Sequence, residues 1–307
     1  MSRISIRPVL AVALAAATAL AFTQSASAAS PDATTLTASE LQTIKTSLDQ
    51  QWTKVPDSVA SWYVDEKSNS VVVEVVGKDA AGLAFAKSGI GASGAVRTKS
   101  ITAAYTPMWN IIGGQAIYFS AGRCSVGFNT RAASGNRYVL TAGHCTNLGG
   151  TVSGVGGTIG PVAASYFPGN DFGAIRVSSS AAVATALVDR YSSGSDVTVA
   201  GSSVVGIGGG VCRSGSTTGW HCGSVQQFNQ TVNYGGGNIV GGLTRTNVCA
   251  EPGDSGGSFV SNPGGGTRVQ AQGMTSGGSG NCSSGGTTFF QPVNEALSYY
   301  GLTLITG

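Results

Sequence analysis

The glycines of this chain are unevenly distributed, and their distribution limits the folds that it can adopt. Of the 47 glycines, only five precede residue 111, which leaves 42 in the last 197 residues. Glycine destabilises the middle of a helix or strand, but it is favoured in tight turns and where the backbone must approach another group closely. We therefore expect the last two thirds of the chain to form many short strands joined by turns, with few helices.

The distributions of cysteine and lysine also change near residue 111. All six Cys lie after residue 111 and all six Lys lie before it. The sequence thus predicts two differently built parts, residues 29–110 and residues 111–307. The net charge of +3, with no cluster of Lys or Arg, argues against nucleic acid as a partner.

The N-terminus has the pattern of a secretory signal peptide. Arg3 and Arg7 precede an apolar stretch from Pro8 to Phe22, and Ala26-Ser27-Ala28 supplies small residues for a signal peptidase. A membrane anchor is the alternative, but the stretch is short for a bilayer span. We therefore predict a signal peptide over residues 1–28, a secreted, extracellular product and no membrane partner, which places the cysteines in an oxidising environment.

Residues 29–110 have the pattern of a small α+β unit. Thr37 to Glu40 offers capping groups for a helix that runs to about Trp52. Apolar runs over 61–64 and 71–76 flank a polar turn and predict a hairpin, and residues 80–87 predict a second helix. No group of catalytic residue types occurs here, so the unit is either a binding module or a pro-segment.

Residues 111–307 have the pattern of an all-β fold, a barrel or a sandwich. About 197 residues are enough for a pair of six-stranded barrels. The chain closes with a predicted helix over Val293–Tyr300, which Gly301 ends. The clearest predicted strands are residues 137–140, 172–177, 196–200, 224–234, 269–274 and 287–292.

Three short segments of this second part carry residue types suited to nucleophilic catalysis. The sequence GDSGG brackets Ser255 with glycines, which exposes the hydroxyl and lets a carbonyl approach the backbone. The sequence TAGHC supplies His144, and a neutral imidazole can take a hydroxyl proton near pH 7. The sequence NDFG supplies Asp171 at the start of an apolar run, where it could orient His144. Each segment alone has an ordinary structural explanation, but the three together indicate a Ser-His-Asp triad.

These segments resemble those of bacterial chymotrypsin-like serine proteases of the streptogrisin and α-lytic protease type. The resemblance covers nearly all of residues 111–307 and rests on TAGHC, NDFG, CRSGSTTGWHCG, TNVCAEPGDSGG and TSGGSGNC, in that order. It implies an all-β fold of two six-stranded antiparallel β-barrels with a C-terminal helix, preceded by a small α+β pro-segment. It also implies that residues 29–110 assist folding and inhibit the protease. Met108 and Trp109 are large apolar residues just before the second part, so self-cleavage after one of them predicts a mature start near Asn110, within about 108–112.

The resemblance also implies a role for particular residues. His144 would be the general base, Asp171 its orienting acid and Ser255 the nucleophile, with the N–H groups of Gly253 and Ser255 forming the oxyanion hole. Ser276 would bond to Asp171, and residues 276–278 would pair with the substrate backbone as an added strand. We expect a monomeric serine endopeptidase without cofactor or metal, whose partners are protein and peptide substrates and its own pro-segment.

The six cysteines can pair in fifteen ways, and the sequence alone does not select one. A zinc site is the alternative use, but paired C-x-x-C units are missing and the compartment is oxidising. The resemblance implies three disulfides, Cys124–Cys145, Cys212–Cys222 and Cys249–Cys282.

The preferred substrate follows from the expected walls of the pocket. Residues 250–252 would form one wall, 275–279 another and 288–290 the base, with Ala250, Thr275, Ser276, Gly277 and Gly278 in contact with substrate. No Asp is expected at the base, which indicates an apolar slot for Phe, Tyr, Leu or Met before the scissile bond. His221 and Asp254 are expected to be structural. A catalytically inactive protease fold that binds peptides or cell-wall material, and an esterase with the same triad, are the alternatives.

Overall fold

The computed structural model describes residues 35–89, 91 and 94–307, so the predicted signal peptide over residues 1–28 lies outside the described residues. The chain divides into two compact units between Tyr105 and Thr106. Among the described residues, no helix has both the length and the apolar character that crossing a membrane would require.

The N-terminal unit combines two helices with one sheet, as predicted. Strands β1 and β2 are antiparallel, β2 and β3 are parallel, and β2 lies between the other two. Thr37 caps the first helix: its hydroxyl accepts from the N–H of Glu40 (3.3 Å), and the Glu40 carboxylate accepts from the N–H of Thr37 (2.8 Å). The elements are α1 (Ala38–Asp49), a 3-10 turn (Trp52–Lys54), β1 (Val59–Asp65), β2 (Ser70–Val76), α2 (Ala80–Ala86) and β3 (Val96–Ile101).

Strand β3 was not predicted, because its sequence VRTKSI is mostly exposed and lacks an apolar alternation. It is joined to β2 through a polar contact: the buried carboxylate of Glu74 accepts from Lys99 Nζ (2.8 Å) on β3. Lys99, Tyr105 and Ser61 all donate to this carboxylate and together lower the pKa of Glu74 to about 2. Glu74 is therefore ionised at neutral pH and links three parts of the unit.

The C-terminal unit is built from short strands, which confirms the all-β prediction. Its elements are β4 (Trp109–Gly113), β5 (Ala116–Phe119), β6 (Gly122–Ser125), β7 (Phe128–Ala132), β8 (Arg137–Thr141), α3 (Gly143–Thr146), β9 (Thr151–Gly154), β10 (Gly157–Tyr166), β11 (Phe172–Arg176), β12 (Ala182–Val188), a 3-10 turn (Tyr191–Ser193), β13 (Val197–Gly201), β14 (Gly210–Gly215), β15 (Gly219–Asn233), β16 (Ile239–Thr246), β17 (Ser258–Ser261), β18 (Arg268–Asn281), β19 (Gly285–Pro292), α4 (Val293–Tyr300) and β20 (Leu302–Leu304).

The strand pairing gives two barrels. One sheet has the order β20-β7-β8-β11-β10-β9-β5-β6. Strand β6 at one end and β7, next to the other end, are separated in the chain only by Val126 and Gly127, so this sheet curves back on itself without a β6–β7 pairing among the described residues. In the other sheet, β14 to β19 form six strands that close on themselves through the β17–β18 pairing. Strands β4, β12, β13 and β20 add to these barrels, so the described sheets have more strands than the predicted six each.

The C-terminal end follows the predicted pattern. Helix α4 spans Val293–Tyr300, and Gly301 ends it in the left-handed conformation (φ 62°). The chain then continues as β20, which was not predicted and which pairs with β7 of the first barrel. The end of the chain is therefore tied to a strand near the start of the same unit.

Candidate active site

His144 lies on the single-turn helix α3 (Gly143–Thr146), directly after strand β8. A side chain at Gly143 would come within 2.3 Å of the Tyr166 carbonyl, so glycine permits this close approach. The backbone N–H of His144 donates to Asp171 Oδ1 (2.9 Å), and the imidazole Nδ1 lies 2.9 Å from Asp171 Oδ2. Because a carboxylate only accepts, Nδ1 carries the proton, and Nε2 is left with a lone pair that can take one.

Asp171 is fully buried and immediately precedes strand β11. Besides His144, its carboxylate accepts from the hydroxyl of Ser276 (2.6 Å), the contact that the resemblance implies. Its backbone N–H donates to Oε1 of Gln291 (2.9 Å), a fully buried side chain on β19 that the sequence did not indicate. The acid is thus held through both its side chain and its backbone.

Ser255 lies on the loop between β16 and β17. Gly256 beside it has φ +78°, and a Cβ there would lie 1.9 Å from Thr141 Oγ1, so this loop packs against the residues that precede His144. The Ser255 carbonyl accepts from Ser125 N–H (2.8 Å). Among the described residues, no hydrogen bond joins the Ser255 hydroxyl to His144. Such catalytic bonds are often long in free enzymes and shorten when substrate binds.

Gly253 orients the peptide groups next to Ser255. It has φ +98°, and a Cβ there would meet Thr217 Oγ1 at 2.4 Å. Its carbonyl accepts from Ser125 Oγ (2.8 Å) and Ser216 Oγ (3.1 Å). Within the described part of the chain, the N–H groups of Gly253 and Ser255 donate to no other protein group, so both are available to an oxyanion.

A buried ion pair supports this loop. The carboxylate of Asp254 lies 3.3 Å from Arg213 Nη1, and both side chains are fully buried. Asp254 also accepts from the N–H groups of Thr217 (2.9 Å), Thr218 (3.1 Å) and Glu251 (2.9 Å). Burial opposes its charge, but Arg213 and these donors outweigh burial and hold the pKa of Asp254 below its usual value. Asp254 is thus structural, as predicted, and Arg213 is its unpredicted partner.

A cavity of about 430 Å³ adjoins Ser255. The predicted substrate-binding residues Ala250, Thr275, Gly277 and Gly278 line it, whereas the residues predicted for its base do not: Thr288 and Phe290 are buried. The complete lining is Ala250, Glu251, Pro252, Ser255, Thr275, Gly277, Gly278 and Gly280.

Glu251 contributes the carboxylate of this cavity. Its Oε1 accepts from the N–H of Cys282 (3.0 Å), which ties the side chain to the adjacent wall. The cavity is therefore mostly apolar and glycine-lined, with one acid held at its side.

A second cavity, of about 420 Å³, contains His144, Phe167, Tyr234 and Asn238. It is also lined by Ser276, Gly277 and Gly278, and the last two line the Ser255 cavity as well. The residues 276–278 thus lie between the two cavities, one next to His144 and the other next to Ser255.

The structure contains three disulfides, with the pairing that the resemblance implies. They are Cys124–Cys145, Cys212–Cys222 and Cys249–Cys282. The first joins β6 to the helix that carries His144, and the third joins the start of the Ser255 loop to the turn after β18.

Two groups of side chains in the described residues have the spacing of metal ligands, but their cysteines are disulfide-bonded. They are Cys124, His144 and Cys145, and His221, Cys249 and Cys282. A disulfide sulfur is not the thiolate that zinc requires, so these donor sets do not fit the metal. His221 Nε2 donates to the Thr218 carbonyl (2.9 Å), in keeping with the structural role expected of it.

Comparison with known proteins agrees with this geometry. The trypsin family model matches residues 111–299, and the model of the alpha-lytic protease prodomain matches residues 37–94. The chain belongs to the trypsin family of serine proteases. Its trypsin domain is preceded by a prodomain of the alpha-lytic protease type, so the resemblance drawn from the motifs is confirmed, and the chain is a peptidase.

Several relatives of this trypsin-family chain have been described. Streptogrisin-C of Streptomyces griseus is 48% identical over 266 residues, which is 86% of this chain and 56% of that protein. Streptogrisin-A of the same organism is 45% identical over 249 residues, 80% of this chain and 78% of that protein. The crystal structure of Nocardiopsis protease (NAPase) is 55% identical with a TM-score of 0.59, and covers 64% of this chain and 100% of that chain.

Not all relatives share one specificity. The trypsin-family relative named glutamyl endopeptidase 2 of Streptomyces griseus is 39% identical over 197 residues, 63% of this chain and 99% of that protein. Family membership therefore leaves the substrate preference to be argued from the cavity of this chain.

Proposed function

We propose that this protein is a secreted serine endopeptidase, made as an inactive precursor, that cleaves peptides after Phe, Tyr, Leu or Met. The observation that carries the proposal is the hydrogen-bonded pair of His144 and Asp171, which lies beside the residues that line the Ser255 cavity. Residues 1–28 would be the signal peptide that directs secretion, and the protease would act as a monomer.

In the proposed reaction, Ser255 Oγ attacks the carbonyl carbon of the scissile bond while His144 Nε2 takes the hydroxyl proton. Asp171 stabilises the imidazolium that forms, and the N–H groups of Gly253 and Ser255 donate to the developing oxyanion. The C–N bond then breaks, and the amine leaves with the proton from His144. Water repeats these steps on the acyl-enzyme, which releases the acid and restores the Ser255 hydroxyl.

The cavity supports a preference for large apolar side chains. Its wall is formed by small residues, and Thr275 turns its hydroxyl to the Gly257 carbonyl (3.1 Å) and so presents little polarity. A charged side chain entering this slot would lose water. Glu251 is the one charged group of the lining, it could pair only with a cation, and its carboxylate is already held by the Cys282 N–H. A glutamate would in addition meet the carboxylate of Glu251.

Peptides with Phe, Tyr or Leu before the scissile bond should exceed those with Glu or Arg by at least about 100-fold in kcat/KM. Profiling of cleavage sites on a peptide library measures this directly. The isosteric variant Glu251→Gln is the matched control, and it should keep the apolar preference if the lining sets it. A preference for Arg or Glu in the library would show that this reading of the cavity is wrong.

The structure also bears on where the mature protein begins. Met108 is 72% exposed, whereas Trp109 is the first residue of β4 and its N–H donates to the Ala181 carbonyl (2.9 Å). The Trp109 ring lies so close to the turn after β9 that a Cβ at Gly156 would come within 2.2 Å of it. Trp109 thus packs as part of the C-terminal unit, and Met108 does not. We place the processing cleavage after Met108, an apolar residue that suits the cavity.

N-terminal sequencing of the secreted protein should therefore begin at Trp109. Met108→Leu should be processed like the wild type, and Met108→Glu should accumulate as precursor, because Glu does not suit the proposed cavity. A first residue of Asn110 would instead place the cut after Trp109 and contradict this assignment.

A further inference from the structure

The hydrogen bonds around Asp171 continue beyond Ser276. The hydroxyl of Ser276 lies 2.6 Å from Asp171 Oδ2, and the hydroxyl of Tyr234 lies 3.0 Å from Ser276 Oγ. With the 2.9 Å contact between Asp171 and His144, four side chains form one chain of hydrogen bonds. Tyr234 is at its outer end, near the end of the long strand β15.

The chemistry of these groups fixes the direction of the bonds. The Asp171 carboxylate has no proton to donate, so the Ser276 hydroxyl donates to it, and 2.6 Å is typical of such a charge-assisted bond. A serine hydroxyl has one proton. Tyr234 therefore donates to Ser276 Oγ, and each donor polarises the next one towards the carboxylate.

The ring of Tyr234 is held in place by the backbone of the substrate-binding segment. A Cβ at Gly277 would lie 2.7 Å from Tyr234 Cε1 and 3.0 Å from its hydroxyl, so the ring packs directly on this glycine. The ring also lines the cavity that contains His144. Burial raises the pKa of Tyr234 to about 12, so the phenol keeps its proton throughout the range in which a histidine titrates.

We propose that Tyr234 is a positioning residue for the catalytic pair: its hydroxyl holds Ser276 in the orientation that donates to Asp171. This rests on the proposed function, because it concerns hydrolysis by Ser255 and His144. Without Tyr234, the Ser276 hydroxyl can turn to other acceptors, and the Asp171 carboxylate keeps more of its charge. Asp171, and the His144 ring that it orients, are then held less firmly for proton transfer, which lowers kcat. The more concentrated charge also favours protonated His144 in the free enzyme.

The test is Tyr234→Phe in the full-length precursor, which removes only the hydroxyl and keeps the ring on Gly277. The processed enzyme is titrated with a sulfonyl fluoride and assayed on a peptide with Phe before the scissile bond. We expect kcat to fall about two- to fivefold with little change in KM. The effect is small because each hydrogen bond in such a chain adds only a fraction to the strength of the next one. The acid limb of the kcat/KM profile should move to higher pH. Tyr191→Phe, which loses a hydrogen bond to the Gly114 carbonyl (2.8 Å), is the matched control. It should change neither kcat nor the pH profile.

The decisive experiment repeats the substitution in a variant that lacks the Ser276 hydroxyl. Tyr234→Phe should have no further effect in a Ser276→Ala background, because its action passes through that hydroxyl. An unchanged kcat and pH profile in Tyr234→Phe would overturn the proposal. So would the same loss with and without the Ser276 hydroxyl, or a change confined to KM, which indicates contact with substrate. Failure of the proposed function is distinguishable, since the wild type would then neither titrate nor hydrolyse the peptide.

Discussion

Replacing Ser255 or His144 with alanine should lower peptide hydrolysis by roughly 10⁴–10⁶-fold, the range seen when triad residues of serine proteases are removed. Ser255→Ala removes the only atom proposed to bond to the substrate carbon. His144→Ala removes the base, and the buried Asp171 cannot replace it because its carboxylate reaches Ser255 only through the imidazole. The measurement is kcat/KM on a peptide with Phe before the scissile bond.

The design must exclude self-processing, because an inactive precursor would not release its own mature domain. The pro-segment and the mature domain are therefore produced as separate chains and combined during refolding. Ser283→Ala and His221→Asn are matched controls, an exposed serine and the other histidine of the chain, and they should keep activity within a few-fold. Wild-type turnover by either Ser255→Ala or His144→Ala would show that the assignment is wrong.

Refolding of the mature domain should be faster by orders of magnitude when the pro-segment is present. Glycine loses more backbone entropy on folding than other residues, and this domain contains 42 of the 47 glycines. Its pairing is also long-range: Thr303 bonds to the Arg131 carbonyl across 172 residues of chain. Such topologies fold slowly. A segment that stabilises the folding transition state lowers this barrier, and after its removal slow unfolding maintains the native state.

The experiment denatures the mature domain with its disulfides intact and follows the return of activity after dilution. Residues 29–108, added as a separate chain, should accelerate the return and, while intact, should inhibit the product. The matched control is the same chain with Glu74→Ala. This substitution removes the acceptor shared by Ser61, Lys99 and Tyr105 and so unfolds or loosens the segment. If activity returned at equal rates with and without the pro-segment, the segment would not assist folding.

Much of the fold could be predicted from the sequence because its local signals agree with its tertiary structure. The predicted strand over residues 172–177 extends one residue beyond β11 (Phe172–Arg176), and the helix over 293–300 ends at the predicted glycine. The pattern failed at edge strands: β3 is mostly exposed, and β20 has only three residues, too few to show an alternation. In these strands the partner supplies the stability, and a partner distant in sequence leaves no local signal.

The residues of the candidate site also fall into two groups, those with a local sequence signal and those without one. His144, Asp171 and Ser255 lie in short motifs that the sequence displays openly. Arg213 lies in the CRSGSTTGWHCG segment, but its contacts with Cys249 and Asp254 join residues far apart in the chain, as does the contact of Gln291 with Asp171. The local sequence does not reveal these contacts. The base of the cavity was misplaced for a related reason, because strand alternation does not reveal that Thr288 turns its hydroxyl to the Val248 carbonyl (2.6 Å).

Covalent labelling is the most direct test of the central claim, that Ser255 is the nucleophile of a peptidase activated by His144. A phosphonate that carries a phenylalanine-like group is incubated with the processed enzyme, and the adduct is located by mass spectrometry of its peptides. The account predicts one adduct per chain, on Ser255, formed in step with the loss of peptidase activity and far more slowly in His144→Ala. An adduct on another residue, or peptide hydrolysis that persists after Ser255 is fully labelled, would contradict it.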